Sequence, residues 1–295
     1  MRDYVIVCGS TVDMDEKKLT ERGVEYIPFE FFIGDESFKD DLGKTMPYKE
    51  FYDRIRAGAV TRTSQINAEE YIEFFGRILE TGKDVVYVSL SSGLSGTYDS
   101  AILAKKFLEE KYPKRKVYCI DSLGASSGYG LLVQYLADMK EEGLSAEELC
   151  ARAEKLKTKI NHVFFSTDLT YYVRGGRVSK VGGFVGTILK ICPVLDMNSE
   201  GKLIPRRKVM GKKNALKNLL RQMCEKAEGG TEYSGRCYIS HSDCLSDAEE
   251  LKKAVEESFE KLKGKVEIYY IGTTIGSHTG TGTVALFFVG AERVK

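Results

Sequence analysis

Residues 85–111 of the chain read VVYVSLSSGLSGTYDSAILAKKFLEEK. The stretch opens with the apolar run Val85 to Val88, which predicts a buried strand, and it closes with a helix over about residues 97–111. Between them lies the loop 91–98, which is rich in Ser and Gly. Free N–H groups and the helix dipole converge where such a loop enters a helix, so the loop can bind an anion. The stretch therefore predicts one strand and one helix of a parallel α/β sheet with an anion site.

The rest of the first half repeats this alternation of short apolar strands and helices. Strands are predicted at residues 4–8, 24–32, 85–89 and 117–120, and helices at about 14–21, 47–57, 68–80 and 97–111. Continuous apolar strands that alternate with helices are typical of a parallel sheet covered on both faces. Loops at the carboxyl ends of such strands should bring Ser10, Ser64 and Ser95 together.

The second half predicts a smaller α/β unit with a mixed sheet. Strands are predicted from His162 onward and at 193–197, 203–209, 236–239, 266–271 and 284–289, with a hairpin across 198–201. Two helices, at about 127–140 and from Ser145, lead to this unit, and further helices are predicted around Phe184 to Leu189, at 212–227 and at 246–263. Capping-box spacing occurs at Asn67/Glu70, Ser145/Glu148 and Ser246/Glu249. We therefore expect two domains, residues 1–160 and residues 161–295, and we interpret His162 as a structural residue.

Two further loops made of small polar residues stand out. Residues 271–283 place His278 among Gly, Ser and Thr, directly before the apolar strand 284–289. Residues 62–67 place Thr63 and Ser64 just ahead of the helix that Asn67 caps. Small residues allow a close backbone approach to a ligand, and histidine adds a donor that titrates near neutral pH. Each loop alone could be ordinary turn and capping chemistry, and the three loops together favour a binding site.

Composition agrees with a soluble cytoplasmic protein. The formal net charge is +1 and 29% of residues are charged, so nothing suggests nucleic acid as a partner. The sequence shows no secretory signal, and no apolar run approaches the roughly 20 residues that span a bilayer. The seven cysteines lack Cys-x-x-Cys spacing. Cys237, His241 and Cys244 supply at most three metal ligands, so we predict no metal site.

Four ordered motifs carry a resemblance to a known family. They are Thr63-Ser64-Gln65, the segment Ser91 to Tyr98, Gly175-Gly176-Arg177 and the segment Ile275 to Gly280. In this order the chain resembles the DegV family of bacterial fatty-acid-binding proteins, from its first strand to its last. The family usually has Thr-Asp-Ser-Thr where this chain has Cys8-Gly9-Ser10-Thr11. Two family prolines are also replaced, by Ile66 and Thr281.

The resemblance implies a parallel α/β/α domain and a smaller α/β domain with a ligand between them. It further implies that the chain holds a long-chain fatty acid and presents it to a separate ATP-dependent fatty acid kinase, which forms the acyl phosphate. On this reading the chain is not itself an enzyme, needs no cofactor and meets its ligand by transient membrane contact. The residues expected at the fatty-acid carboxylate are Thr63, Ser64, Ser95, Gly96, Arg174, Arg177, His278 and Thr279, with the choice between the two arginines open.

A stand-alone acyl hydrolase is the alternative function. It would use Ser95 or Ser92 as the nucleophile, His278 as the base and an acid such as Asp121. The loop lacks the Gly-x-Ser-x-Gly pattern of a nucleophile elbow, and only the geometry of the three groups can decide the matter.

Overall fold

The computed structural model describes residues 3–179 and 191–295. Its strands are β1 Tyr4–Gly9, β2 Val24–Ile27, β3 Phe29–Ile33, β4 Glu36–Asp40, β5 Thr61–Ser64, β6 Asp84–Ser89, β7 Val117–Asp121, β8 Ile160–Ser166, β9 Ile191–Met197, β10 Leu203–Met210, β11 Cys237–His241, β12 Glu267–Tyr270 and β13 Thr283–Val289. Its helices are α1 Glu16–Thr20, α2 Tyr48–Arg56, α3 Ala68–Glu80, α4 Thr97–Lys111, α5 Ser126–Glu141, α6 Ala146–Leu156, α7 Thr170–Arg174, α8 Lys212–Lys226, α9 Leu245–Ser258 and α10 Thr273–Thr279.

The first sheet is parallel throughout and has the strand order β2-β1-β6-β7. All six residues of β1 and all six of β6 are buried, because helices cover both faces of the sheet. The apolar stripe of α3 packs on one side beside α4, with Tyr71 and Phe75 buried. The predicted α/β/α arrangement with a parallel sheet is therefore confirmed.

The second large sheet is mixed and has the order β10-β9-β8-β13-β11-β12. Only β11 and β12 run parallel, and the other pairings are antiparallel. β9 and β10 form the predicted hairpin across residues 198–201, so this expectation is confirmed. This sheet has six strands and the parallel sheet has four, although the predicted second domain is shorter than the first.

α5 packs between the two large sheets and contacts β1 on one side and β8, β11 and β13 on the other. Two glycines allow this close approach. A Cβ at Gly128 would lie 2.3 Å from His162 Nε2, and a Cβ at Gly130 would lie 2.7 Å from Met14 Sδ. The glycines therefore fix how closely the two halves of the molecule come together.

A third sheet, β4-β3-β5, is antiparallel and was not predicted. Residues 24–32 were predicted as one strand, but Pro28 divides them into β2 and β3, which belong to different sheets. Proline lacks the N–H that a continuous strand would need, so the chain turns into a second sheet there. The segment 62–67 was predicted as a loop, and its first half is instead the short strand β5.

Helix starts agree with the capping predictions at two of three positions. Asn67 and Ser145 both form complete capping boxes, with Glu70 and Glu148 respectively. The third prediction is wrong, because α9 begins at Leu245 and its N-cap residue is Cys244.

The predicted helix around Phe184 to Leu189 lies outside the described residues. The domain boundary near residue 160 stays a prediction. None of the described helices is long and apolar enough to cross a membrane.

Candidate functional site

The described residues enclose a cavity of about 280 Å³ between the two large sheets and the three-stranded sheet. This is close to the lower end of the range typical of small-molecule sites, roughly 300–1,000 Å³. The residues that line it are Phe29, Thr63, Ser64, Gln65, Leu90, Leu94, Ser95, Gly96, Ala125, Ser126, His162, Phe164, Tyr172, Arg177, Met197, Leu203, Ile271, Thr274, Ile275, His278, Thr279, Thr283, Ala285 and Phe287. Apolar side chains dominate one part of this wall and polar groups collect in another.

The apolar part, which we call the tail wall, comes mainly from one face of the six-stranded sheet. Alternate residues of β13 and β8 face the cavity, because successive side chains of a strand point to opposite faces. Ala285 is paired with Phe164 across the two strands, and Phe287 is paired with His162. Met197 and Leu203 extend the same surface along the β9–β10 hairpin. A regular sheet face thus gives a continuous and largely apolar slot.

The polar part, which we call the head site, centres on a contact between Thr63 and His278. Thr63 Oγ1 lies 2.8 Å from His278 Nε2. His278 Nδ1 is buried and has no hydrogen-bond partner among the described residues. An orphaned N–H costs more than an orphaned acceptor, so we assign the ring hydrogen to Nε2. His278 then donates to Thr63, and the Thr63 hydroxyl is left to donate its own hydrogen to a ligand.

His278 is held as a neutral ring. Burial, together with the positive charges of Arg177 and Arg174, lowers its pKa to about 4. The ring packs against the backbone of Gly175, where a Cβ would lie only 2.3 Å from Nδ1. Gly175 is thus required for the His278 position, which explains in physical terms why the Gly175-Gly176-Arg177 motif belongs to the same site. At neutral pH the ring is a hydrogen-bond donor without charge.

The positive charge of the head site comes from Arg177. Its Nε donates to the Leu94 carbonyl at 3.1 Å and its Nη1 to the Gly175 carbonyl at 2.5 Å. No carboxylate pairs with it in residues 3–179 and 191–295. Partial burial lowers the pKa of the guanidinium, yet Arg remains protonated in proteins. Its charge is therefore available to an anion in the cavity.

Arg174 is placed differently from Arg177. Its side chain is exposed, its guanidinium lies over the Tyr171 ring at 4.6 Å, and it is not part of the cavity wall. Its charge acts on the site over a distance, since it helps to lower the pKa of His278. Of the two arginines left open by the sequence, the structure brings Arg177 to the site and leaves Arg174 outside.

The loop before α4 forms another side of the head site. Ser95 Oγ lies 2.6 Å from Thr97 Oγ1 and accepts from the Thr97 N–H at 3.3 Å. Gly96 is packed against Gln65, since a Cβ there would lie 2.5 Å from Gln65 Oε1. The Gln65 amide in turn contacts Ser100 at 3.5 Å. This interlocking positions the start of a long helix, whose dipole favours negative charge, beside the cavity.

The structure brings seven of the eight predicted site residues into one cavity wall, with Arg174 as the exception. Ser64 lies in the wall, with its hydroxyl bonded to Glu30 at 3.3 Å, and Thr279 donates to the Gly280 carbonyl. Ser10 does not join the wall, because it is buried and accepts from the Phe29 N–H at 3.0 Å. His278 was expected in a loop, and it lies instead in the helix α10.

Sequence reasoning missed several residues of the wall. His162 was interpreted as structural, and it lines the cavity while its two ring nitrogens contact the Ile160 carbonyl and the Ala125 N–H. Burial lowers the pKa of His162 to about 3, so it is neutral. Residues 284–289 are apolar throughout, so no signal in the sequence shows which alternate residues of this strand face the cavity. Nothing in the sequence pointed to Ser126.

Local packing explains why this chain has Gly9 where the family motif usually has an aspartate. A Cβ at Gly9 would lie 2.7 Å from the ring of Phe29, and Phe29 is part of the cavity wall. The Gly9 backbone is fixed by Tyr129, whose hydroxyl bonds both its N–H at 2.9 Å and its carbonyl at 2.7 Å. An aromatic ring therefore packs where the resemblance would have a side-chain carboxylate.

Ser95, His278 and Asp121 do not form the contacts of a serine-hydrolase triad. The Ser95 hydroxyl contacts Thr97, while His278 Nε2 contacts Thr63. Asp121 Oδ1 accepts from the backbone N–H groups of Ser92 and Leu123. A triad needs the serine on the histidine and the histidine on the acid, so none of these contacts supports it.

Metal ligands do not converge either, in the part of the chain that the structure describes. No group of three or more His, Cys, Asp or Glu side chains there could hold a metal ion. Cys237 is fully buried in the core. The His241 ring packs on Tyr270 at 4.4 Å, and His241 Nδ1 accepts from the Cys244 N–H at 3.3 Å.

Comparison with known proteins agrees with this architecture. A family model described as "Uncharacterised protein, DegV family" matches residues 3–291. The fatty acid-binding protein of Thermotoga maritima is 35% identical over 294 residues, which cover 98% of this chain and 99% of that one. The crystal structure of a DegV lipid binding protein from Thermotoga maritima, 32% identical, has a TM-score of 0.85 and covers 99% of this chain and 100% of its own.

A more distant structure shares the fold. The Fatty Acid Kinase (Fak) B3 protein of Streptococcus pneumoniae, loaded with linoleic acid, has a TM-score of 0.83 at 22% identity, over 97% of this chain and 99% of its own. The match of the family model over nearly the whole chain, together with the relative at 35% identity, is decisive. The chain belongs to the DegV family.

Proposed function

We propose that this protein binds one long-chain fatty acid, with the carboxylate at the head site and the acyl chain along the tail wall. The observation that carries the proposal is Arg177, a partly buried guanidinium without a carboxylate partner among the described residues, beside the donors Thr63 and Ser95. A carboxylate satisfies such a group by short charge-assisted hydrogen bonds. Relatives named for fatty acid or lipid binding support the choice of ligand.

The tail wall supports an acyl chain rather than a small polar acid. Its side chains are aromatic or aliphatic apart from His162, Ser126 and a few hydroxyls. Burying about ten methylenes at about 0.8 kcal/mol each gives about 8 kcal/mol before ordering costs. A carboxylate with a short chain would forgo most of this free energy. Affinity should therefore rise with chain length until the slot is filled.

Calorimetry on delipidated protein tests this proposal. Palmitic and oleic acids should bind one to one. Butyric acid should bind far more weakly because it lacks the long acyl chain, and hexadecanol because it lacks the carboxylate. Native mass spectrometry of the protein as purified should reveal a copurified fatty acid. Folded, delipidated protein that binds none of the long-chain acids would contradict the proposal.

We further propose that the bound acid is presented to a separate ATP-dependent fatty acid kinase. The sequence has no Gly-x-x-x-x-Gly-Lys-Ser/Thr loop for a nucleotide. The four ordered motifs that resemble the family support this role. The chain would then bind and orient the carboxylate, and the kinase would supply the phosphoryl group. Ligand would be exchanged with membranes by transient contact in the cytoplasm.

Radiolabelled ATP separates the two roles. Oleate-loaded protein with ATP alone should give no labelled lipid, and addition of a purified ATP-dependent fatty acid kinase should give acyl phosphate. Label in the lipid without added kinase would overturn the division of labour. Hydrolysis of acyl esters by the protein alone, abolished by Ser95→Ala, would favour the hydrolase.

A further inference from the structure

The helix that carries His278 is held at its start by two buried carboxyl groups. The Thr274 N–H donates to Asp40 Oδ2 at 3.3 Å. Asp13 Oδ1 lies 2.6 Å from the point that a Cβ of Gly272, the N-cap residue of α10, would occupy. Both carboxyl groups are 1% exposed. Through these contacts at Gly272 and Thr274, the two carboxyl groups can hold the first turn of α10 in place.

The two acids belong to different parts of the molecule from the helix. Asp13 follows β1 of the parallel sheet, Asp40 ends β4 of the three-stranded sheet, and α10 follows β12 of the six-stranded sheet. Two more contacts cross the same junction. Tyr52 donates to the Ile271 carbonyl at 2.7 Å, and Thr61 donates to the Ser277 carbonyl at 3.4 Å. The three sheets therefore meet at α10.

Asp13 also reaches the cavity by a second route. Its Oδ2 accepts from the hydroxyl of Ser126, which lines the cavity. Asp13 and Ser126 both have positive φ, 48° and 54°. Such conformations are costly for residues other than glycine and cluster where the surrounding structure enforces them. One carboxyl group thus joins the cavity wall to the start of the His278 helix.

Burial of these two carboxyl groups costs more free energy than a purely structural contact requires. Neither acid is paired with a Lys or Arg within residues 3–179 and 191–295, and Asp13 Oδ1 and Asp40 Oδ1 have no hydrogen-bond partner there. Burial raises the pKa of both carboxyl groups, and the hydroxyls and N–H groups around them only partly offset it. Apolar residues would fill the same space at lower cost.

We propose that Asp13 and Asp40 are positioning residues for the ligand head group, which fix α10 so that His278 meets Thr63. The inference rests on the proposed fatty-acid site. α10 is only seven residues long, and His278 lies one turn after Thr274, so a shift at the start of the helix moves the imidazole directly.

A double-mutant cycle tests this role. Asp13→Asn and Asp40→Asn keep the size of each side chain and should each weaken oleate binding about two- to thirtyfold. In a His278→Ala background the same substitutions should add little further loss, because the group they position is gone. Asp84→Asn is the matched control, since Asp84 is equally buried at the far end of β6 and should leave the affinity unchanged. Losses that add fully in the His278→Ala background would overturn the proposal.

Imidazole NMR gives a readout that does not need ligand. The chain has three histidines, and the His278 ring signals are the ones that vanish in His278→Ala. Asp13→Asn or Asp40→Asn should shift the His278 ring signals of the ligand-free protein, and Asp84→Asn should not. If one Asn variant fails to fold, the other carries both measurements. An unshifted His278 ring overturns the positioning role, whereas wild-type protein that binds no fatty acid would contradict only the proposed function.

Discussion

The two parts of the cavity are built in opposite ways. The tail wall comes mostly from one face of a regular sheet, where strand register alone pairs Ala285 with Phe164 and Phe287 with His162. The head site is assembled from a short strand, a helix start, a Gly-Gly-Arg segment and the helix α10, none of which neighbours another in sequence. Changes in the head site should therefore weaken every fatty acid alike. Changes in the tail wall should instead alter the dependence of affinity on chain length.

The largest expected effect is at Arg177. Arg177→Met removes the charge that we propose faces the carboxylate. Loss of one partner of a buried charge pair costs about 2–5 kcal/mol, or roughly thirtyfold to more than a thousandfold in affinity. Calorimetry with lauric and oleic acids should show the same loss for both. Arg174→Met is the matched control and should change affinity about threefold or less, since Arg174 lies outside the wall. Equal losses in the two variants would mean that both arginines hold the ligand.

His278 should come next. His278→Ala removes the donor that orients the Thr63 hydroxyl, so the hydrogen bond from Thr63 to the carboxylate should be lost with it. A hydrogen bond to a charged group contributes about 1.5–3 kcal/mol, or about ten- to more than a hundredfold in affinity. The thermal midpoint of the ligand-free protein should change little, because the ring makes one hydrogen bond to the residues that the structure describes. Unchanged affinity, or an unfolded ligand-free variant, would remove His278 from the head site.

The tail wall is tested by Ala285→Leu. The larger side chain should displace about two methylenes of a long ligand, which corresponds to about 1.6 kcal/mol and about fifteenfold weaker oleate binding. Lauric acid should bind as before, because a shorter chain leaves room. Leu286→Val, on the opposite face of β13, is the control and should affect both acids equally little. A uniform loss for both acids with Ala285→Leu would show that the two parts of the cavity are not separable.

Acid stability tests the neutral state of His278. Its pKa falls from 6.5 to about 4 on folding, so the native state binds fewer protons than the unfolded state between these values. The free energy of unfolding should then be fully present above pH 6.5 and should decline toward pH 4, by about 1.4 kcal/mol per pH unit for this group. Urea unfolding of His278→Gln over this range should show a slope smaller by that amount. An unchanged slope would mean that His278 is already charged in the native protein.

The smallest effect is expected at Ser95. Ser95→Ala removes one neutral hydroxyl, and such a hydrogen bond contributes about 0.5–1.5 kcal/mol, or about two- to tenfold in affinity. Thr97, which shares a hydrogen bond with Ser95, remains in place and can compensate in part. Calorimetry at constant pH and salt measures the change. A loss larger than that of Arg177→Met would point to a covalent or catalytic role for Ser95.

The parallel sheet could be predicted because its evidence is local. The strands 4–8, 85–89 and 117–120 are short apolar runs, and α3 and α4 fall at the predicted residues 68–80 and 97–111. The β4-β3-β5 sheet could not be predicted in this way. β4 and β5 are short and carry several polar residues, and β5 pairs with a strand more than twenty residues earlier. Long-range pairing of this kind leaves no periodic signal.

The residues of the site likewise fall into those that local sequence could predict and those that depend on long-range contacts. The small-residue loops identified Thr63, Ser95 and His278, because the chemistry of these residues is visible in the sequence. The helical state of α10 was missed, since Gly, Ser and Thr have poor helix propensity and the segment is held by Asp13, Asp40 and Tyr52 from elsewhere. The choice of Arg177 over Arg174 likewise depends on tertiary packing.

The contact between Gly9 and Phe29 constrains how this chain can change. Because the Phe29 ring occupies the space beside Gly9, a side chain at position 9 requires a smaller residue at position 29. Each substitution alone should be harmful, either by collision or by leaving a hole in the wall, while the two together should be tolerated. Positions 9 and 29 should therefore vary as a pair among DegV proteins. Related chains that carry the family aspartate at the first position are expected to lack a bulky aromatic ring at the second.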